Sequence, residues 1–147
     1  MNEKRIYIGG TFDTLHPGHV NLFKRAKELG TVIVSLNTDE FTTRFKRKPV
    51  MNLAERMAMV EAVRYVDEVI VNDGCEDSRP AILKSRATHI LHGDDWTGDS
   101  LMKQLGLDQA WLDEHGIEMM YLPYTKGISS TAILERIFHH EDLWTHA

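Results

Sequence analysis

"RIYIGGTFDTLHPGHVNLFKRAKELG", residues 5–30, decides how this chain is read. Its opening, "RIYIGG", is a short apolar run closing on Gly9 and Gly10, the pattern of a buried strand entering a tight turn. From Pro17 to Gly30, Val20, Phe23, Ala26 and Leu29 recur at helical spacing, with proline in the first turn and glycine at the stop. His16 and His19 are three residues apart at the helix start, so their side chains share one face. A strand, a glycine turn and a helix whose free N–H groups point back into that turn make an anion site. Two imidazoles placed there donate hydrogen bonds to phosphate oxygens and stabilise charge that builds up in phosphoryl or nucleotidyl transfer. A turn or metal site that merely contains histidine is the competing reading.

The pattern continues outward. "TVIVSL" (31–36) reads as a second strand buried on both sides. "NLAERMAMVEAVRYV" (52–66) reads as a helix with Asn52 and Glu55 placed for a capping box. "DEVIV" (67–71), "THILHG" (88–93) and "IEMMYLP" (117–123) read as further strands. Helices are expected at 78–86, at 99–115 with a break near Gly106, and at 129–140 with Ser129 or Ser130 as N-cap. This alternation predicts an α/β fold: a single Rossmann-like, doubly wound domain over residues 1–147 with a five-stranded parallel sheet. Ligands of such folds sit beyond the carboxyl ends of the strands. The polar stretches "GGTFDTLHPGH", "NTDEF", "GDDW" and "YTKGISST" fall at those ends.

Composition narrows the classes. The chain has 147 residues, 42% apolar and 27% charged, an ordinary globular balance. A net charge of −5 argues against a general nucleic-acid binder, which needs a basic surface. One cysteine, Cys75, excludes an intrachain disulfide. The N-terminus has no apolar signal region, and no apolar run approaches the ~20 residues of a membrane helix, so a cytoplasmic protein is expected. Neither a Walker P-loop nor G-x-G-x-x-G is present. No nearby cysteine or carboxylate pattern completes a zinc set with the two histidines, and no protein metal site is expected.

"GTFDTLHPGH" resembles the G-x-F-D-x-x-H-x-G-H signature of the cytidylyltransferase family, within the HxGH nucleotidyltransferase superfamily. "YTKGISST" is similar to that family's R-T-x-G-I-S-T-[ST] signature. "FKRKPVMNLAERMAMVEAVRYVDEVI" resembles its middle, and "GDDW" the segment after the fourth strand of the glycerol-3-phosphate members. The similarity spans roughly residues 5 to 137. It implies transfer of CMP from CTP to a small phosphorylated alcohol, with release of pyrophosphate. Glycerol 3-phosphate is the first acceptor it points to. Phosphocholine, phosphoethanolamine or an ATP-using adenylyltransferase reaction are alternatives, and a non-catalytic nucleotide-binding regulator is a more distant one.

By the same resemblance His16, His19 and Lys46 are the catalytic set: the histidines on the CTP phosphates, the lysine on the α-phosphate and the substrate phosphate. Thr11, Phe12, Asp95, Gly127, Ile128, Ser129 and Thr131 bind the nucleotide, Phe12 also fitting a packing role. Asp95 contacts the nucleoside. Arg64 and Arg56, eight apart on one helix, bind the phosphorylated substrate. Asp13 orients His16 or the loop backbone, Asp39 fits a helix cap, and Asp67 ties the strand entrance. Mg²⁺ comes with CTP, bridging phosphates mostly through their oxygens and water. A homodimer is implied. The chain departs from the signature at Tyr124, which stands where the family has arginine, with Lys126 two residues later.

Overall fold

The computed structural model describes residues 3–74, 76–93 and 105–140. Strands and helices alternate along it: β1 (Arg5–Gly10), α1 (Pro17–Leu29), β2 (Thr31–Asn37), α2 (Asp39–Phe45), α3 (Leu53–Glu61), β3 (Glu68–Asn72), α4 (Arg79–Ser85), β4 (His89–Gly93), α5 (Gln109–His115), β5 (Glu118–Leu122) and α6 (Ser130–His139). The five strands pair in parallel in the order β3-β2-β1-β4-β5. This is the expected Rossmann-like α/β fold. The chain builds outward from β1 to β3, then returns to the other side of β1 for β4 and β5. Strand order therefore reverses between β1 and β4, and the crevice that accepts ligands in such sheets opens at their carboxyl ends.

Side-chain alternation explains the two layers. Ile6, Ile8, Val32, Val34 and Leu36 pack with Phe23 and Ala26 of α1 and Val60 of α3. Tyr7 and Ile90 point the other way, against Ala81 and Ile82 of α4 and Leu112 of α5. Burial on both faces is why β2 reads as a nearly unbroken apolar run: all of Val32 to Leu36 is buried. Asp67 ties the sheet's amino end as expected, accepting the Val32 N–H at 2.8 Å while pairing with Lys27 at 2.9 Å.

Two elements differ from the sequence reading. Helix α2 is additional. Thr38 caps it by accepting the Phe41 N–H at 3.2 Å, Asp39 and Glu40 complement the dipole in its first turn, and the Phe41 and Phe45 rings meet at 4.8 Å. Its two threonines dilute the helical pattern. Helix α3 is shorter than the expected 52–66. It starts on the expected box, in which Asn52 and Glu55 each accept the other's N–H at 2.9 Å, but ends at Glu61. Residues 62–66 then form tight turns, with Val63 N–H on the Val60 carbonyl and Val66 N–H on the Val63 carbonyl, both at 3.1 Å. The chain must leave the helix there because Asp67 N–H already pairs with the Val32 carbonyl at the start of the sheet. Of the expected helix at 99–115, Gln109–His115 is helical and residues 99–104 lie outside the described residues. No helix of the described residues is long and apolar enough to cross a membrane.

Candidate functional site

The loop leaving β1 is held in an unusual backbone conformation. Phe12 and Thr14 both have left-handed φ values, 54° and 49°. That region is unfavourable for side chains in general and most of all for a β-branched threonine; such residues cost of order 1–3 kcal/mol each and persist only where their surroundings impose them. Asp13, between them, supplies the restraint. Its carboxylate accepts the N–H groups of Val50 at 2.7 Å and Met51 at 2.9 Å. Its carbonyl accepts hydroxyls from Ser130 at 2.7 Å and Thr14 at 2.6 Å. One aspartate thus joins the first loop to the segment before α3 and to the first turn of α6. Phe12 is buried, its ring set edge-on to His19 and tilted against Phe23, each at 5.2 Å between centroids. The side chain packs, and only its backbone remains for a ligand.

His16 is the N-cap of α1. Its Nδ1 accepts the Gly18 N–H at 3.0 Å, and the His16 N–H in turn donates to Nδ1 of His19 at 3.3 Å. The rings stack at 3.8 Å between centroids, 26° from parallel. "HPGH" is therefore a capping box built from two imidazoles. Burial lowers the pKa of His16. Burial, and then the neighbouring His16, push that of His19 down to about 3. Both rings are neutral near pH 7.

This has a consequence for stability. The unfolded chain protonates His19 near pH 6.5, while the folded chain resists protonation until about pH 3. Between those values the unfolded state binds more protons, so stability falls as the pH falls, by up to about 1.4 kcal/mol per pH unit for this one group. Urea denaturation at pH 7 and pH 5 is expected to show a loss about 2 kcal/mol larger for the wild type than for His19→Gln. Equal losses would contradict the burial of a neutral His19.

The segment after β5 closes over the same helix. Gly127 has φ 82°, a conformation glycine adopts freely, and releases the chain into Ser129, the N-cap of α6, whose Oγ accepts the Ala132 N–H at 3.0 Å. Asn21 on α1 donates to the Thr125 hydroxyl at 3.1 Å. Ile128 reaches the histidine loop: a methyl group placed on Gly18 would lie 3.3 Å from its Cγ2. With the Ser130 to Asp13 bond, these contacts hold the turn after β5 against the loop that carries His16 and His19. Thr131 is exposed in the first turn of α6. Tyr124, at the signature's arginine position, meets the His92 ring edge-on at 6.3 Å.

The basic residues separate. Lys46 is exposed at the C-cap of α2, the helix whose Thr42 hydroxyl lies 3.2 Å from that of Thr11. Arg44 from the same basic run is paired with Glu76 at 2.7 Å. The expectation that Arg56 and Arg64 line one helix face is corrected: α3 ends at Glu61, so only Arg56 lies on it, and Arg56 is turned inward. Arg56 has no exposed surface. Its guanidinium donates to the Met51 carbonyl at 3.0 Å, the Thr11 carbonyl at 2.8 Å and Asp39 at 2.7 Å, so it braces the loop from below. Asp39 also accepts the Leu53 N–H at 3.1 Å, which gives it the capping role expected of it, on α3. Arg64 lies beyond the end of α3, exposed in the turns before β3. Asp95 lies outside the described residues.

Comparisons with known proteins agree with this geometry. The cytidylyltransferase-like family matches residues 7–136. Glycerol-3-phosphate cytidylyltransferase of Bacillus subtilis is 38% identical over 137 residues, covering 91% of this chain and 97% of that protein. FAD synthase of Pyrococcus horikoshii is 35% identical, covering 90% and 91% of the two chains. Among solved structures, the lipopolysaccharide core biosynthesis protein of Thermoplasma volcanium superposes with a TM-score of 0.72 over 85% of this chain and all of its own, at 22% identity, a likeness of fold. A strand-to-helix anion turn bearing a histidine pair, closed by a second polar loop and matched over nearly the whole chain, places this protein in the cytidylyltransferase-like family of nucleotidyltransferases.

Proposed function

We propose that the protein transfers CMP from CTP to a small phosphorylated alcohol, glycerol 3-phosphate first, releasing pyrophosphate. The observation that carries the reading is the contact between the two loops, in which Ile128 beside Gly18 and Ser130 bonded to Asp13 hold the turn after β5 against the histidine loop. In this reading the triphosphate lies between them. His16 and His19 donate to phosphate oxygens and stabilise the charge that accumulates at the α-phosphate. Thr11 and Phe12 present backbone, while Gly127, Ile128, Ser129 and Thr131 offer N–H and O–H donors at the start of α6. Lys46 swings in from the end of α2 to neutralise the two anions as they approach. The acceptor phosphate attacks the α-phosphorus and pyrophosphate leaves. Asp95 is assigned to the nucleoside on the resemblance alone.

Mg²⁺ would come with the nucleotide and would neutralise charge on the triphosphate. The loop's own carboxylate, Asp13, is committed to two backbone N–H groups and is not assigned to it. We also carry forward the homodimer as part of this reading.

The relative named as an FAD synthase favours a second reading, in which the nucleotide transferred is adenylyl. Pyrophosphate release separates the two. CTP and ATP are each offered with glycerol 3-phosphate, phosphocholine, phosphoethanolamine and flavin mononucleotide. The expected result is release with CTP and glycerol 3-phosphate, strongly reduced by Asp95→Ala. Turnover of ATP with flavin mononucleotide and none with CTP would replace the first reading by the second.

A further inference from the structure

Both histidines accept an N–H at Nδ1, His16 from Gly18 and His19 from His16. A ring nitrogen that accepts carries no proton, so each neutral imidazole must hold its proton at Nε2. That is the nitrogen left to face a ligand. Pro17 has no N–H to offer, so Gly18 supplies the first N–H of α1 that a cap can use. Gly18 is absent from the positive-φ residues, so its backbone does not require glycine. What requires glycine is space. A Cβ there would stand 2.7 Å from Cε1 and 2.9 Å from Nδ1 of His16. Any side chain at this position displaces the ring that caps the helix.

We propose that Gly18 is a positioning residue. Its N–H and its bare Cα seat the His16 ring over the helix start and fix it as the Nε2–H tautomer, and the seated His16 fixes His19 the same way through its own N–H. The pair is thereby a preset double donor before any substrate arrives. The glycine between the histidines serves tautomer and ring placement rather than a turn.

The ring and the glycine are tested separately from the reaction. In long-range ¹⁵N–¹H spectra of the full chain at neutral pH, without nucleotide, His16 and His19 are expected to show the Nε2-protonated pattern, each assigned by its loss in His16→Asn or His19→Gln. An Nδ1-protonated or cationic pattern for either overturns the proposal. Helix propensity alone would make Gly18→Ala stabilising. The expected result is the opposite: a lower melting temperature in the wild-type background, with the His16 tautomer signal lost or averaged, and no such loss in the His16→Ala background, where the ring is gone. This double-mutant comparison stands even if Gly18→Ala folds poorly, because removing the ring should then restore folding. Gly18→Ala that is equally harmful with and without the ring, or that keeps the His16 signal intact, overturns the proposal. One further consequence rests on the proposed nucleotidyl transfer: kcat should fall roughly ten- to a hundredfold in Gly18→Ala as the donor moves by about an ångström. A normal tautomer pattern in an inactive wild type would count against the reaction while leaving the positioning role in place.

Discussion

His16→Asn is expected to keep the fold and lose the reaction. Asparagine is among the best N-cap residues, so its side chain can accept the Gly18 N–H as the imidazole does, and the start of α1 stays capped. What it cannot do is extend a second donor past the helix end. If the Nε2–H of His16 stabilises the α-phosphate transition state, kcat should drop by about 10²–10³, the usual effect of removing one donor aimed at developing charge. His16→Ala should lose the same activity and in addition about 1 kcal/mol of stability for the missing cap. His19→Gln should likewise lower kcat by orders of magnitude, since His19 stacks on His16 at 3.8 Å and presents its ring to the same side. The measurement is steady-state pyrophosphate release alongside urea denaturation of the same preparations. Near-wild-type turnover in His16→Asn and His19→Gln alike would remove the histidines from the mechanism.

Much of this was legible in the residues themselves. The parallel sheet follows from β1 and β2, where glycine-terminated and two-sided apolar runs leave little choice of structure. The capping box at Asn52 and Glu55 was likewise readable, and the last cap was narrowed to Ser129 or Ser130, because a cap depends only on neighbours three residues away. What escaped was long-range. Helix α2 is weak in local terms and owes its place to Thr42 against Thr11 and to Asp39 bonding into α3. The left-handed Phe12 and Thr14 carry no signal in their residue types; Asp13 imposes them from bonds to positions 50, 51 and 130. The end of α3 is not legible locally because Val63 and Val66 continue an apolar spacing past Glu61 that serves turns instead.

Arg56 did leave a signal. It occupies the stripe of Leu53, Met57 and Val60, which face the core. A charged residue at i+3 from one core position and i−4 from another belongs inside, and a buried arginine must find acceptors. The three it finds belong to the loop that forms the site or to its supports, so a brace of the site and a ligand-binding group share the same place in the sequence. Arg56→Met keeps an unbranched chain of similar length but removes every donor. The Thr11 and Met51 carbonyls and one oxygen of Asp39 then lose their partner.

Breaking such a buried pair costs about 3–5 kcal/mol when the remaining charge is sealed from water. Asp39 keeps 36% of its side chain exposed, so water can take over part of its solvation, and the lower end of that range is expected. Arg56→Lys should recover little, because one ammonium cannot replace a planar fork serving three acceptors in different directions. The two roles give opposite readouts. A substrate-binding arginine would raise the acceptor KM and leave unfolding unchanged. The brace should shift the urea midpoint by an amount equivalent to about 3 kcal/mol and lower kcat by loosening Thr11. A stability loss below about 1 kcal/mol, the ordinary value of a single hydrogen bond, would return Arg56 to the list of residues that meet the substrate.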